Sequence, residues 1–353
     1  MRKTGIIMIL FCVLSGLSGF AQDPSFTQFY FNKLYFNPAF AGLSNGLELS
    51  LTHREQWPNL PGKFSTSKFS ADLDISGIRG LGGVGLNVIQ DIEGEGSLKT
   101  LSVGIPISIR PMNLWAAGYG NKPHYFNFQA GFLLSMTYKS VNWDKFVYSD
   151  QLDAVNGVVR PSSFNSGSDA GKILPDFGFG MVFDYQNAPF GKTYRNNWNV
   201  RAGFAIHHIT EPDYSFLGKE MHLPKKYVAH INFNFPIKKD EDFIVAPAFI
   251  YEKQASMQTF QCGVNALWRV LFVGVWYRSF NNSDAMAVVL GMKLGRKSRF
   301  YGSYSYDATL SRLSPATLGS HEINISYQLD QSQLKGKKRD KKKGRRRIPC
   351  PMF

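Results

Sequence analysis

The sequence predicts an all-β fold, an antiparallel transmembrane β-barrel of about 14 strands, and three observations carry that reading. The chain opens like an exported protein. It has no later run of roughly 18 or more apolar residues able to cross a membrane as a helix. Apolar and polar residues alternate over stretches longer than the five or six residues, roughly, of an ordinary strand. Composition agrees: 353 residues with 44% apolar and 19% charged side chains, including 29 Phe, 16 Tyr and 6 Trp, exclude wholesale disorder.

At the start, Arg2 and Lys3 precede an apolar run over 6–14, and the small residues Gly19 and Ala21 stand three and one before Gln22. This reads as a secretory signal peptide over 1–21. The bulky Phe11 before Cys12 argues against lipoprotein processing there. Cys262 and Cys350 then remain, too few for a disulfide scaffold, and they pair or stay free.

Residues 22–46 form an N-terminal segment, periplasmic or lumenal, that is too aromatic for a loose leader. Phe26, Phe29, Tyr30, Phe31, Tyr35, Phe36 and Phe40 are each worth roughly 2 kcal/mol on burial, so they need the barrel lumen or a partner to cover them. Pro24 and Pro38 limit regular helix.

The barrel is expected over 47–330, with strands beginning near Leu47, Ser65, Gly82, Ser97, Tyr125, Leu174, Trp198, Lys226, Asp242, Met257, Val270, Asp284, Arg299 and Gly319. The pattern is plainest where Phe126, Phe128, Ala130, Phe132, Leu134, Met136 and Tyr138 share one face against Asn127, Gln129, Gly131, Leu133, Ser135 and Thr137. Tyr227 to Ile237 and Phe177 to Tyr185 repeat it. Such spacing joins antiparallel neighbours locally and leaves no room for crossover helices.

Connection lengths then orient the barrel, because short turns face the periplasm and longer loops the outside. Short connections at 76–80, 238–241, near Arg269 and at 295–298 share one parity; long ones at 139–173, 210–225 and 307–318 share the other. Both termini are therefore expected in the periplasm. Connections 111–123 and 186–197 are longer than that side predicts and offer docking surfaces.

The tail, 331–353, holds much of the net charge of +14: ten basic residues and one acid lie between Lys335 and Arg347. In the periplasm, such a run meets acidic lipid headgroups, cell-wall carboxylates or an acidic partner, and no nucleic acid.

Enzyme and metal motifs fail on context. Gly80-Leu81-Gly82-Gly83-Val84-Gly85 has the glycine spacing of a dinucleotide site, yet Leu86, Val88 and Ile89 continue as strand where a helix is required. Glycines facing a crowded lumen explain it better. His321-Glu322 lacks a second histidine four residues on. His207 and His208 adjoin on opposite faces of a strand and cannot chelate one ion together. Glu93 and Glu95 lack calcium-loop spacing, and Asp307 and Glu322 read as polar or loop contacts. No cofactor, metal or catalytic residue is expected.

Several segments resemble one family. They are Gln22-Asp23-Pro24-Ser25-Phe26-Thr27-Gln28-Phe29-Tyr30, Tyr35-Phe36-Asn37-Pro38-Ala39-Phe40-Ala41-Gly42, Arg54-Glu55-Gln56-Trp57, His207-His208-Ile209-Thr210-Glu211-Pro212, Gly302-Ser303-Tyr304-Ser305-Tyr306-Asp307, Ser320-His321-Glu322-Ile323 and Cys350-Pro351-Met352-Phe353. In this order they resemble the PorP/SprF family over nearly the whole mature chain. The resemblance implies a non-enzymatic outer-membrane component of type IX protein secretion. It implies support for export or surface anchoring of large adhesins, in some bacteria for gliding motility. The implied partners are outer-membrane lipids, the secreted cargo, a periplasmic peptidoglycan-binding lipoprotein and secretion-motor proteins. Candidate partner-binding residues are Phe26, Phe29, Tyr30, Asn37, Pro38, Arg54 and Trp57, with Lys337, Lys338, Arg339, Arg345, Arg346 and Arg347 in the tail. A passive porin, with an open water-filled lumen, and a barrel-embedded hydrolase, with a convergent nucleophile and base, are the rival classes.

Overall fold

The structure, a computed structural model, describes residues 23–44, 46–60, 62–78, 80–94, 98–111, 115–119, 122–153, 155–163, 171–186, 198–215, 221–238, 243–280, 283–294, 299–310 and 317–330. The leader, Gln22, Glu95, Cys350 and the tail residues Lys337, Lys338, Arg339, Arg345, Arg346 and Arg347 lie outside these.

Strands follow in the order β1 (Gly46–Gln56), β2 (Lys63–Asp74), β3 (Leu81–Gly94), β4 (Leu98–Ile109), β5 (Trp115–Tyr119), β6 (Lys122–Ser140), β7 (Leu152–Asp153), β8 (Gly157–Val158), β9 (Lys172–Gln186) and β10 (Asn199–His207). The series continues with β11 (Lys226–Lys238), β12 (Phe243–Gln254), β13 (Met257–Trp268), β14 (Leu271–Phe280), β15 (Ser283–Lys293), β16 (Phe300–Thr309) and β17 (Ser320–Asp330). Fourteen of them form a ring of antiparallel neighbours. β1 to β4 pair in sequence, β4 skips to β6, β6 pairs with β9, and β9 to β17 run in order. The ring closes where β1 meets β17, from Gly46 opposite Asp330 to Gln56 opposite Ser320. Every strand expected from the alternation is present, its start displaced by three residues at most.

Which face points where identifies the solvent. On β14, Val275 is 49% exposed and its neighbour Trp276 only 3%. Leu271, Val273, Val288, Leu290, Ile323 and Ile325 are likewise exposed, while Arg54, Lys68, Gln261, Glu322 and Asn324 are buried. Apolar side chains outside and charged ones inside reverse the order of a water-soluble protein and suit a barrel in lipid. Tyr138, Tyr227, Tyr251, Tyr277 and Tyr306 ring the outer face near one end, and Phe183, Phe235, Trp268 and Phe300 near the other. These are the two interfacial girdles.

The ends differ in their connections. At one lie 141–171, which holds the β7–β8 hairpin, and 208–225; at the other lie the turns at 75–80, 269–270 and 294–299. Length does not separate the ends completely. β12 and β13 are joined at the long-loop end by Ala255-Ser256 alone, Ala255 having φ 51°, the left-handed geometry of tight hairpins. Within 111–123, β5 pairs antiparallel with the start of β6, from Trp115 opposite Phe126 to Tyr119 opposite Lys122.

Substituting Val275, at mid-height on the lipid face, with Arg should cost about 2–4 kcal/mol, whereas Ser279→Arg near the rim should cost about 0–1 kcal/mol. Equilibrium urea unfolding in lipid vesicles measures both, and equal costs would contradict the assigned outer face.

Candidate functional site

The aromatic N-terminal segment lies inside the barrel. It folds as three single turns, Phe29–Phe31, Lys33–Phe36 and Pro38–Phe40. Asn37 starts the last: its Oδ1 accepts from the Ala39 N–H at 2.9 Å, and its Nδ2 donates to the carbonyls of Met181 and Phe204 at 3.0 and 3.3 Å. Phe26 packs edge-on against Tyr35 at 5.0 Å between centroids, Phe29 against Phe36 at 5.1 Å, and Phe40 stacks on His230 at 5.0 Å. These rings, together with Phe31, Trp276 and Phe272, make the main apolar cluster of the protein. It is a core enclosed by a polar wall.

Glycines make room for this segment. A Cβ on Gly83 would fall 2.2 Å from the Gly42 backbone, and one on Gly131 would fall 2.3 Å from the Ala39 nitrogen. Within the glycine run at 80–85, Gly83 therefore lets backbone approach backbone, and β3 runs on from Leu81 as strand, with a register shift against β4 between Leu81 and Gly83. Gly42 has φ +77° as well, so a side chain there is excluded twice.

Polar contacts fasten the segment along the depth of the barrel. Near the short-turn end, Asp72 accepts from the Gly42 N–H and from Ser44 Oγ, and Ser108 Oγ donates to the Ala41 carbonyl at 2.7 Å. In the upper half sits a buried charge cluster. Arg54 on β1 and Glu322 on β17 are direct cross-strand partners at the closing seam, with Nη1 and Oε2 3.1 Å apart. Arg54 Nη2 also reaches Asp307 of β16 at 2.9 Å, and Arg278 of β14 meets the same Asp307 oxygen. The Glu322 carboxylate then accepts the backbone N–H groups of Thr27 and Gln28, at 2.7 and 3.2 Å, and Asn32 Nδ2 at 3.2 Å. Lys68 Nζ donates to Asn32 Oδ1 at 2.8 Å. Two cations and two anions are thus paired, and Thr27 Oγ1 adds a hydrogen bond to Asp307 Oδ2 at 2.7 Å, while Arg54 Nε, Arg278 Nη1 and Asp307 Oδ1 stay buried without a partner among the described residues.

At the long-loop mouth the segment ends in a clamp. Asp23 Oδ2 lies 2.8 Å from His208 Nε2 and 3.8 Å from Lys226 Nζ, and His208 Nδ1 lies 2.8 Å from Asp176 Oδ2. Burial opposes the charge on His208, but Asp23 and Asp176 outweigh it and raise its pKa to about 9. For Asp23 burial is likewise opposed, and His208 with Lys226 holds the carboxyl well below the ordinary carboxylate range. Beside the clamp is a cavity of about 110 Å³, lined by Asp91, Glu93, Lys139, Leu133 and Leu223 among others.

The histidine pair corrects one expectation. His207 and His208 do not face opposite ways: the strand stops at His207, His208 takes φ 57°, and the rings sit 6.4 Å apart, His207 against the Phe36 carbonyl at 3.2 Å. The contacts found for His208 nitrogens are carboxylates, which leaves no nitrogen there to activate a serine. His53, 2.9 Å from Ser67 Oγ, lies on the exposed outer face. Among the described residues, no group of three or more His, Cys, Asp or Glu is placed to hold a metal ion.

Of the candidate partner-binding residues, Phe26, Phe29, Tyr30, Asn37, Pro38 and Arg54 are buried between segment and wall, so their present contacts are within the chain. Trp57 sits at the long-loop rim, φ 52°, packed on Phe64 at 5.6 Å. Asp307 and Glu322, read as polar or loop contacts, prove to be the centre of the charge cluster. Their inward register on β16 and β17 was the available signal. The segments 26–30, 54–57, 302–307 and 320–323 thus meet at one place in space, and His208 meets Asp23 at another.

That convergence agrees with comparison across known proteins. The family model described as "Type IX secretion system membrane protein PorP/SprF" matches residues 18–327. The chain belongs to the PorP/SprF family. It is an outer-membrane β-barrel of that secretion family. No curated protein matches significantly. Among solved structures, the Ralstonia pickettii toluene transporter TbuX is 10% identical with TM-score 0.40, covering 83% of this chain and 92% of its own. A Pseudomonas aeruginosa FadL homologue is 13% identical with TM-score 0.39, covering 89% and 96%. The Pseudomonas putida toluene transporter TodX is 9% identical with TM-score 0.36, covering 84% and 92%.

Arg54→Met should cost about 3–5 kcal/mol, because it strands two buried carboxylates, and the double variant Arg54→Met, Glu322→Met should recover part of that loss in the same urea assay. The His208 clamp carries an opposite pH signature to a simple acid pair. Its pKa is raised above the unfolded value, so its contribution is complete below about pH 6.5 and fades as pH rises through about 9. Thiol exposure of a cysteine placed at Ser25 should rise over that window in the native protein, and not in His208→Gln.

Proposed function

We propose that this PorP/SprF barrel is a non-enzymatic, internally plugged component that supports export or surface anchoring of large adhesins, and contacts cell-wall-linked partners on its periplasmic side. The plug supports this most strongly. Residues 23–43 touch β1, β3, β4, β9 and β12, and so reach around the wall, with Phe26, Phe29 and Phe36 wholly buried. A folded or extended cargo chain finds no free passage in a lumen filled this way. The useful surfaces are then the two mouths.

At the long-loop mouth, the described parts of the β6–β9 and β10–β11 connections follow the strand ends, the second tied down by Asp213 to Lys172 at 2.9 Å and Glu211 to Lys225 at 3.4 Å. We assign this mouth to the cell surface and to cargo. At the other end lie the β5–β6 hairpin and the end of β17, from which the basic tail continues. Lys337, Lys338, Arg339, Arg345, Arg346 and Arg347 are proposed to hold an acidic periplasmic partner or cell-wall carboxylates by salt-sensitive attraction.

Deleting the protein and comparing surface proteins by mass spectrometry tests the reading. Loss of one or a few large surface proteins is expected. Loss of every type IX substrate would indicate a general machine part, and unchanged secretion with reduced solute uptake would favour a porin. Replacing 337–347 by a Gly/Ser linker should leave the barrel inserted while periplasmic partners elute at lower salt.

A further inference from the structure

The described chain begins and ends at opposite mouths of the barrel. β1 starts and β17 finishes together at the short-turn end, as the even strand number requires. Before β1, however, the chain runs up the lumen. Gly42 lies by Gly83 at the foot of β3, Asn37 by Gly180 halfway up β9, Thr27 by Glu322 near the top of β17, and Asp23 by His208 and Lys226, where β10 ends and β11 begins. The two ends of the barrel wall thus share one mouth, and Asp23 lies at the other.

We propose that Asp176, His208, Lys226 and Gln254 form a capture site for the chain's own processed N-terminus, delivering the mature amino end to the long-loop mouth. The proposal rests on the signal-peptide reading, and its placement on the cell-surface side rests on the orientation given above. The ligand is an N-terminal peptide with a carboxylate next to its free end. Asp23 supplies both halves of the contact: its carboxylate lies 2.8 Å from His208 Nε2, and its backbone N–H donates to Gln254 Oε1 at 3.0 Å.

The wall holds these donors ready. His208 is oriented by Asp176 at 2.8 Å and Lys226 by Glu252 at 2.9 Å, so each cation has one carboxylate from the wall and shares the second from the incoming segment. Pro24 follows, its carbonyl taken by the Tyr35 hydroxyl, which also accepts from Lys226 Nζ at 3.1 Å. Over this corner, Tyr214 and Leu223 of the 208–225 connection pack with Leu174.

Whole-cell thiol labelling tests this in the full chain with Cys262 and Cys350 replaced by Ser. Single cysteines are placed at Gln22, at Val155 in the long loop and at Leu334 beyond β17, and treated with an impermeant maleimide before or after lysis. Labelling of Gln22→Cys and Val155→Cys on intact cells, with Leu334→Cys labelled only after lysis, is the expected result. Gln22→Cys following Leu334→Cys instead would overturn the capture site. If Leu334→Cys reacts on intact cells while the other two need lysis, the orientation fails and the capture site stands. Should Gln22→Cys resist labelling in both conditions, Asp23→Ala is added: release into the same class as Val155→Cys supports the site, and continued protection or labelling with Leu334→Cys defeats it.

Discussion

One ion pair joins the two closures on which the protein depends. Arg54 and Glu322 stand opposite each other on the first and last strands, so their contact spans the seam that turns a sheet into a barrel. The same Glu322 carboxylate receives the backbone of Thr27 and Gln28. A buried carboxylate with a single cationic partner would be poorly satisfied, since it has several lone-pair directions to fill. The plug fills them. Barrel closure creates the acceptor, and plug entry completes it, so neither state is well satisfied alone.

The rest of the architecture follows from reversing inside and outside. Lipid accepts the apolar faces of the strands, which leaves the lumen lined with Lys68, Asn324, Gln261 and the charge cluster. A lumen of this width needs water, side chains or a plug. The segment 23–43 brings its own aromatic core and presents backbone and amide groups to the wall, so it supplies both an apolar interior and polar partners. The close glycine contacts at Gly42, Gly83 and Gly131 suit one fixed path of this segment rather than a loose filling.

Alternation made the strands legible because lipid and lumen impose opposite chemistry on successive residues, and Phe126 to Tyr138 display this without any tertiary knowledge. The aromatic content of 22–42 likewise announced a burial site. What stayed hidden depends on three dimensions. Arg54 and Glu322 are 268 residues apart and meet only when the ring closes. His208 turns beside His207 because φ 57° ends the strand, and residue type does not announce that. The direction of the plug was concealed because strand parity concerns the wall alone; the segment before β1 is free to double back. The β5–β6 extension disguised itself as a long connection for a similar reason, since its β5 strand is only five residues.

This fourteen-stranded barrel holds its own N-terminal segment, 23–43, locked to the closing seam. Planar-bilayer conductance of the purified protein reads whether that segment shuts the lumen. The intact barrel should show no stable pore-sized steps, Glu322→Gln should show transient openings, and removal of residues 23–43 should produce steady ones. An intact protein that conducts as freely as the truncated form would mean that the segment does not close the lumen.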